Sequence, residues 1–241
     1  MTCILLTGSS RGIGGAARMA LEARGARVIG QARKPDGADT LAADFREPGA
    51  ARELWEAALA RADGKIDVLV NNAGLFEANP LDASDIAWLD AWEDTMRINL
   101  ASAAQLSRFA VRHWRERKAQ GENVPGRIVH VASRAGHRGD SPAHWHYAAS
   151  KGGMLAMHKT IARHYAAEGI LSFAIAPGFT DTAMAGDYLA SRGGDALLAD
   201  IPLGRVATPE EIASLIVFCA LDAPPSLTGA TLDANGASYV R

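Results

Sequence analysis

The fold of this chain is decided near its amino terminus by the stretch Cys3-Ile4-Leu5-Leu6-Thr7-Gly8-Ser9-Ser10-Arg11-Gly12-Ile13-Gly14. An apolar run of strand length leads directly into a glycine-rich turn, and an amphipathic segment follows. Glycines permit a tight turn and the close approach of a pyrophosphate, and the free N–H groups at a helix start attract its charge. The stretch therefore predicts a strand at Cys3–Thr7, a phosphate-binding turn and a helix at Arg11–Arg24.

Short apolar runs alternate with longer amphipathic segments along the rest of the chain. The short runs do not alternate polar and apolar residues, as expected when helices cover both faces of a sheet. This order predicts an α/β fold, a doubly wound parallel sheet of about seven strands in a single domain spanning residues 1–241. Further strands are predicted at Arg27–Gln31, Ile66–Val70, Arg127–Ala132, Leu171–Ala176 and Ala230–Asp233, and further helices at Ala50–Ala62, Asp85–Gln120, Tyr147–Ala167 and Pro209–Ala220.

Composition excludes several classes of function. The chain has 241 residues, a net charge of -2 and an estimated pI of 6.4, without a dense run of Lys or Arg, so we expect no nucleic-acid partner. No uncharged apolar stretch approaches ~20 residues, so no membrane span is predicted. Cys3 and Cys219 give no disulfide framework, which favours a reducing, cytoplasmic location.

Tyr147 and Lys151 are four residues apart in a predicted helix, so their side chains share one face. An ammonium about 4 Å from a phenolate, at an effective dielectric near 20, attracts it by about 4 kcal/mol. That attraction predicts a tyrosine pKa lowered from about 10 by two to three units. Tyr147 is then an acid/base for a carbonyl/alcohol pair.

Several motifs occur together and in one order. They are the Gly-x-x-x-Gly-x-Gly turn, Asn71-Asn72-Ala73-Gly74 after a later strand, Ser133 after another, the Tyr147/Lys151 pair, Pro177-Gly178-Phe179-Thr180-Asp181-Thr182 and Thr228-Gly229. With them the chain resembles the short-chain dehydrogenase/reductase family over nearly its whole length, and most of all the 3-oxoacyl-carrier-protein reductases. The resemblance implies a Rossmann fold, an NAD(P)-dependent oxidoreductase and a homo-oligomer, a tetramer or dimer.

The resemblance also implies the site residues. The catalytic set is Asn99, Ser133, Tyr147 and Lys151, in which Tyr147 exchanges the proton, Ser133 donates to the substrate oxygen and Asn99 helps to hold a water. Lys151 lowers the phenol pKa and binds the nicotinamide ribose. The expected cofactor contacts are Gly8, Ser10, Arg11, Gly12, Ile13, Gly14, Arg33, Asp44, Asn71, Ala73, Gly74, Tyr147, Lys151, Pro177, Gly178, Thr180 and Thr182.

The end of the second strand indicates which dinucleotide is bound. Family members that prefer NAD place an acidic residue about where Ala32 stands, and this chain has none. Arg11, Arg33 and Lys34 are cations that can pair with a 2′-phosphate, so we expect NADP(H) to be favoured over NAD(H). Too few residues follow Lys34 for the usual crossover helix, so either that helix is lost or the third strand is displaced.

Two loop features leave alternatives open. His137, His144 and His146 lack the spacing of a metal site, so none is predicted, and His137 or His144 either faces the substrate or fills the interior. Arg134 and Arg138 allow two interpretations. They form a basic rim that favours an acidic substrate or a phosphopantetheine carrier, or they are solvated charges of a loop.

Two apolar segments also allow two interpretations each. Residues Thr182–Ala199 form either a lid or an ordinary loop with a short helix. A helical stripe is either core or subunit interface, and it comprises Trp88, Trp92, Met96, Leu100, Ala103 and Ala110.

The leading functional hypothesis is an NADPH-dependent reductase of a ketone or other carbonyl, with a tyrosine as general acid. One alternative is an alcohol, sugar or steroid dehydrogenase that works in the oxidative direction. Another is a non-catalytic NADP(H)-binding regulator built on the same fold.

Overall fold

The computed structural model of this protein describes residues 1–35, 37–122, 126–182 and 198–241. In these ranges the strands are β1 (Cys3–Thr7), β2 (Arg27–Ala32), β3 (Thr40–Ala42), β4 (Val68–Asn71), β5 (Gly126–Val131), β6 (Ile170–Pro177) and β7 (Thr231–Ala234). They form a seven-stranded sheet in the order β3-β2-β1-β4-β5-β6-β7, and every neighbouring pair is parallel. The predicted fold class is confirmed.

Helices cover both faces of the sheet. Their bounds are α1 (Gly12–Ala23), α2 (Ala50–Arg61), α3 (Asp85–Met96), α4 (Ser102–Ala119), α5 (Ala135–Arg138), α6 (Trp145–Tyr165) and α7 (Pro209–Val217). One apolar cluster joins Leu6 of β1 to α1 and α7, and the other joins Leu5 to α2, α4 and α6. Because successive side chains of a strand face opposite sides, both Leu5 and Leu6 are buried, and the strand shows no alternation.

The predicted helix Asp85–Gln120 is wrong in its middle. A π-helical turn, Arg97–Ala101, separates α3 from α4. Such turns are frequent at functional sites, and this one contains Asn99. The other predicted elements differ from the observed ones by no more than three residues at any end.

The connection between β2 and β3 has lost its crossover helix. It comprises residues 33–39, and none of those described is helical. β3 nevertheless lies beside β2, with Gly30 opposite Thr40. Of the two alternatives, helix loss is therefore correct, and β3 is not displaced.

Two predicted surface features have different outcomes. Residues 183–197, most of the segment predicted as a lid or loop, lie outside the described part of the chain. In the apolar stripe, Ala103 and Ala110 are buried in the core, whereas Trp88 and Trp92 are half-buried and stack with ring centres 5.3 Å apart. Among the described helices, none is long and apolar enough to cross a membrane.

Candidate active site

Three of the four predicted catalytic side chains meet at the carboxyl end of β5. Ser133 lies two residues beyond Val131, the last residue of β5, and Tyr147 and Lys151 lie one turn apart near the start of α6. The Ser133 hydroxyl lies near enough to the Tyr147 phenol to act on its pKa, and it accepts the Ala135 N–H at 3.1 Å. A substrate oxygen that lies beside the two hydroxyls can therefore accept a hydrogen bond from each of them.

The phenol of Tyr147 is not made acidic by its neighbour. Burial raises the pKa of Tyr147 to about 12, and the hydrogen bond with Ser133 opposes that shift only in part. Lys151 Nζ lies 5.8 Å from the centre of the Tyr147 ring and donates to the Val131 carbonyl at 2.8 Å. The predicted lowering of the tyrosine pKa is therefore wrong, because burial disfavours the charged phenolate more than its neighbours stabilise it.

Lys151 is itself a buried cation, with 4% of its surface exposed. Burial lowers the pKa of Lys151 from 10.5 to about 8. A Cβ atom on Gly74 would lie 3.6 Å from Lys151 Nζ and 3.6 Å from Asn99 Oδ1. The loop after β4 therefore passes against both side chains and closes this side of the site.

Asn99 fixes that loop rather than facing the cleft with a free amide. Its Oδ1 accepts the Leu75 N–H at 2.7 Å, and its Nδ2 donates to Leu75 O at 2.9 Å and to Ser150 Oγ at 3.2 Å. Ser150 in turn donates to Tyr147 O at 2.7 Å. The side chain of Asn99 thus connects the loop to the helix that carries Tyr147 and Lys151.

The aromatic ring of Phe76 lies between Tyr147 and His144, and nothing in the sequence predicted a place for it in the site. The Phe76 ring meets Tyr147 edge-on at 4.7 Å and stacks on His144 at 4.2 Å. His144 is 2% exposed and its Nδ1 lies 2.7 Å from Ser141 Oγ. His144 therefore lies behind Phe76 and does not face a substrate.

The remaining loop residues singled out in the sequence also point inward or pair with the protein. His137 stacks on Tyr239 at 5.6 Å, and buried Arg134 lies 4.8 Å from the Phe179 ring centre. Arg138 donates to Ser238 O at 3.1 Å and lies 3.4 Å from Asp200. These contacts contradict a free basic rim. In the described residues, no cluster of three or more His, Cys, Asp or Glu side chains is arranged to hold a metal.

The glycine-rich turn is shaped for close approach of a ligand backbone. Gly8 has φ of 66°, and a Cβ atom on Gly14 would lie 1.9 Å from Gly8 O. α1 begins after Arg11 without a side-chain cap and without an acidic residue in its first turn. Its first amides therefore remain available to an anion. A cleft of about 650 Å³ is lined here by the predicted contacts Ser10, Arg11, Gly12 and Thr182, among others.

Asn71 was predicted to line the cleft, and its side chain does not. Asn71 Nδ2 donates to Ser107 Oγ at 3.1 Å and lies 3.3 Å from His130 Nδ1, in the buried layer under α4. Because a strand alternates its faces, the next residue, Asn72, points the other way. Asn72 Nδ2 donates to Thr7 O at 3.0 Å and Gly8 O at 3.1 Å, so it supports the phosphate-binding turn.

The end of the cleft near Arg33 and Asp44, where we expect the adenosine half of the cofactor, has exposed cations and a carboxylate that already interacts with another residue. Arg11 and Arg33 are exposed at the carboxyl ends of the neighbouring strands β1 and β2, and the last residue of β2 is the buried Ala32 rather than an acid. Asp44 accepts the Arg46 N–H at 3.0 Å and lies 3.7 Å from the Arg46 guanidinium. Arg11 and Arg33 therefore present two positive charges at this end of the sheet.

The segment after β6 contains several of the expected cofactor contacts. Pro177 O accepts the Arg134 N–H at 2.9 Å, and a Cβ atom on Gly178 would lie 2.8 Å from Asn235 Cα. Thr182 Cγ2 would lie 3.1 Å from a Cβ atom on Gly12, so Thr182 lies over the start of α1. The buried Thr180 donates to Gly178 O at 3.3 Å and stabilises its own loop.

Comparisons with known proteins agree on one family. A family profile described as enoyl-(acyl carrier protein) reductase matches residues 8–236. The 3-oxoacyl-(acyl-carrier-protein) reductase FabG of Salmonella typhimurium is 36% identical over 247 residues, which cover 98% of this chain and 96% of the relative. FabG of Escherichia coli K12 is 35% identical with the same coverage.

A solved structure also matches nearly the whole chain. It is a Beutenbergia cavernae protein provisionally named NAD(P)-dependent gluconate 5-dehydrogenase, with NADP bound at low occupancy. The TM-score is 0.85 at 30% identity, and the match covers 98% of this chain and 95% of the other.

Proposed function

Because the chain belongs to the short-chain dehydrogenase/reductase family and is therefore an oxidoreductase, we propose that it reduces a ketone-type carbonyl to an alcohol with NADPH. The observation that carries the proposal is the meeting of the Ser133 and Tyr147 hydroxyls beside the buried ammonium of Lys151, whose Nζ lies 5.8 Å from the centre of the Tyr147 ring. A non-catalytic nucleotide-binding regulator has no need of this arrangement.

The residues of the cleft fit a pyridine dinucleotide. The uncapped start of α1 and the absence of side chains at Gly8 and Gly14 suit a pyrophosphate, and the exposed Arg11 and Arg33 suit a 2′-phosphate. Lys151 would hold the nicotinamide ribose. When bound, NADPH supplies the hydride that adds to the carbonyl carbon.

The protein supplies the proton and stabilises charge on the substrate oxygen. The hydroxyls of Ser133 and Tyr147 donate hydrogen bonds to the carbonyl oxygen, and the O–H bond of Tyr147 breaks as that oxygen becomes a hydroxyl. A tyrosine with its pKa raised to about 12 keeps its proton at neutral pH, which supports the role of general acid. Lys151, with its pKa lowered to about 8, is the nearest group able to return a proton to the phenolate.

A second candidate is the oxidative direction on a sugar acid or other alcohol. The likeness to the provisionally named gluconate 5-dehydrogenase favours it. The FabG relatives favour a 3-oxoacyl thioester as the substrate of reduction.

We further propose a homo-oligomer, a tetramer or dimer, in a cytoplasmic setting. Its support is the exposed apolar face of α3, where Ile86 is 76% and Leu89 50% exposed, together with two buried free thiols, Cys3 and Cys219. Light scattering after gel filtration measures the subunit number, and a monomer at micromolar concentration contradicts the proposal.

A cofactor-oxidation screen tests the function. NADPH consumption is followed with 3-oxoacyl thioesters, cyclic ketones and sugar-derived carbonyls, and NADP reduction is followed with the matching alcohols. We expect at least one ketone to oxidise NADPH in the wild type and not in Tyr147→Phe. Turnover confined to alcohols with NADP identifies the oxidative candidate, and binding of NADPH without turnover of any compound identifies the regulator.

A further inference from the structure

Gln31 is a buried polar side chain at the end of an apolar strand, and the catalytic arrangement does not use it. It is 3% exposed. Its Oε1 accepts the Gly8 N–H at 2.9 Å, and its Nε2 donates to Ala43 O at 2.7 Å. The two partners fix the orientation of the amide, because an N–H must donate and a carbonyl must accept. Burial of an amide is unfavourable without such partners, so this position selects an amide.

The two groups joined by Gln31 belong to different parts of the cofactor cleft. Gly8 is the first glycine of the phosphate-binding turn, and its own carbonyl accepts Asn72 Nδ2 at 3.1 Å. Gly8 is therefore held by one side chain from β2 and by another from the residue that follows β4. Ala43 directly precedes Asp44, which by resemblance to the family is expected to contact the adenine of the cofactor, so Gln31 connects the turn to the segment that carries Asp44.

The hydrogen bond from Gln31 to Ala43 matters because β3, the short strand just before Ala43, is weakly held in the sheet. It is an edge strand of three residues that follows a seven-residue connection without a helix in its described part. A further side-chain contact of β3 does not involve Gly8: Arg18 Nη1 donates to Thr40 Oγ1 at 2.6 Å. Backbone bonds, such as Ala43 N–H to Ala32 O at 3.1 Å, continue the sheet without reaching Gly8.

We propose that Gln31 is a positioning residue for the cofactor, which sets the phosphate-binding turn and the Asp44 segment at the spacing that the adenosine half of NADPH requires. The inference rests on the proposed function. Gln31 acts through Gly8 and Ala43 and not on the reacting atoms, so its loss weakens cofactor binding and leaves the chemical step intact.

The first test is cofactor affinity in Gln31→Met, which keeps the volume and removes both hydrogen bonds. We expect the Kd for NADPH to rise about tenfold, as the loss of two buried hydrogen bonds implies, with kcat at saturating NADPH within about twofold of the wild type. Gln31→Glu keeps an oxygen that accepts the Gly8 N–H. Its second oxygen replaces the Nε2 donor and repels the Ala43 carbonyl oxygen. It should restore part of the affinity.

The second test needs no cofactor. Hydrogen exchange at the Gly8 amide should be slow in the wild type, fast in Gln31→Met and slow in Gln31→Glu. Thr40→Val is the matched control, because it removes the hydrogen bond from Arg18 to β3 without contacting Gly8. It should leave Gly8 exchange unchanged even if it lowers Tm as much as Gln31→Met does.

The outcomes separate this inference from the function on which it rests. Fast Gly8 exchange in Gln31→Met together with weaker NADPH binding and unchanged kcat supports it. Fast exchange with an unchanged Kd, a fall in kcat alone, or equal effects of Thr40→Val on Gly8 exchange and on Kd overturns it. If the wild type binds neither NADPH nor NADH, the proposed function fails and a cofactor role for Gln31 fails with it.

Discussion

The two ends of the cleft are built in opposite ways. At the catalytic end Lys151 is 4% exposed, and its ammonium, like the amide of Asn99, is fixed by backbone partners at 2.7–2.9 Å. At the adenosine end Arg11 and Arg33 are exposed, and β3 is a three-residue edge strand. A rigid, desolvated region suits charge stabilisation in the reaction, whereas an open, charged region suits exchange of a cofactor. The difference implies that turnover and cofactor affinity are controlled by separate residues.

The strongest way to break this comparison is Tyr147→Phe. Loss of the proposed general acid should lower kcat by roughly 10²–10⁴-fold, while the Kd for NADPH stays within about twofold. Steady-state kinetics with an accepted ketone and a fluorescence titration with NADPH measure the two quantities. Near-normal turnover in this variant removes Tyr147 from the role of general acid.

The burial of Lys151 gives a pH-dependent stability. The folded protein releases this proton at about pH 8, whereas the unfolded chain holds it up to the ordinary value of 10.5. Between these values the unfolded state binds more protons, so stability rises with pH in that window. Relative to Lys151→Met, the wild type should gain about 3 kcal/mol in free energy of unfolding from pH 8 to 10.5.

Urea unfolding of the two proteins across that range measures this difference. Lys159→Met, an exposed position on the same helix, is the control and should show no comparable trend. A constant difference between the wild type and Lys151→Met would mean that the ammonium is not desolvated.

The adenosine end is probed by Arg33→Ala. We expect the Kd for NADPH to rise about tenfold and that for NADH to change little, because a guanidinium pairs with the 2′-phosphate that only NADPH carries. Equilibrium titration with both cofactors checks the result. An equal loss for both cofactors assigns Arg33 to another part of the nucleotide, and a wild type that uses NADH more efficiently than NADPH contradicts the proposed preference.

The smallest expected effect belongs to Asp44→Asn. This change keeps an oxygen to accept the Arg46 N–H and removes a charge that already faces the Arg46 guanidinium at 3.7 Å. The Kd for NADPH should therefore change by less than about threefold, as for partly exposed ion pairs in general. A tenfold rise in the same titration identifies the carboxylate itself as a cofactor ligand.

The sequence predicted the strands, the glycine-rich turn and the sheet better than it predicted the pKa and the side-chain directions of the site residues. Strand β1, the turn at Gly8 and the parallel sheet followed from local patterns, because glycine spacing and apolar runs act over a few residues. The pKa of Tyr147 did not, since its shift depends on how deeply the folded protein buries the phenol. The π turn at Asn99 and the opposite directions of Asn71 and Asn72 likewise depend on tertiary packing.

Other site residues carried a weak signal or none. Gln31 stood out only as a single amide at the end of an apolar strand, and its partner Ala43 is twelve residues away. Phe76 had no pattern of its own, because its position depends on contacts with His144 and Tyr147 that form only when loop and helix pack together.

The most direct test asks whether cofactor binding and chemistry are controlled at opposite ends of the cleft. It measures the two quantities separately in Arg33→Ala and in Tyr147→Phe. The Kd for NADPH is obtained by titration, and the rate constant of hydride transfer by a single turnover of bound NADPH with an accepted ketone. We predict that Arg33→Ala changes the Kd alone and Tyr147→Phe the rate constant alone. If either variant shifts the other quantity as strongly as its own, the two ends of the cleft are not independent.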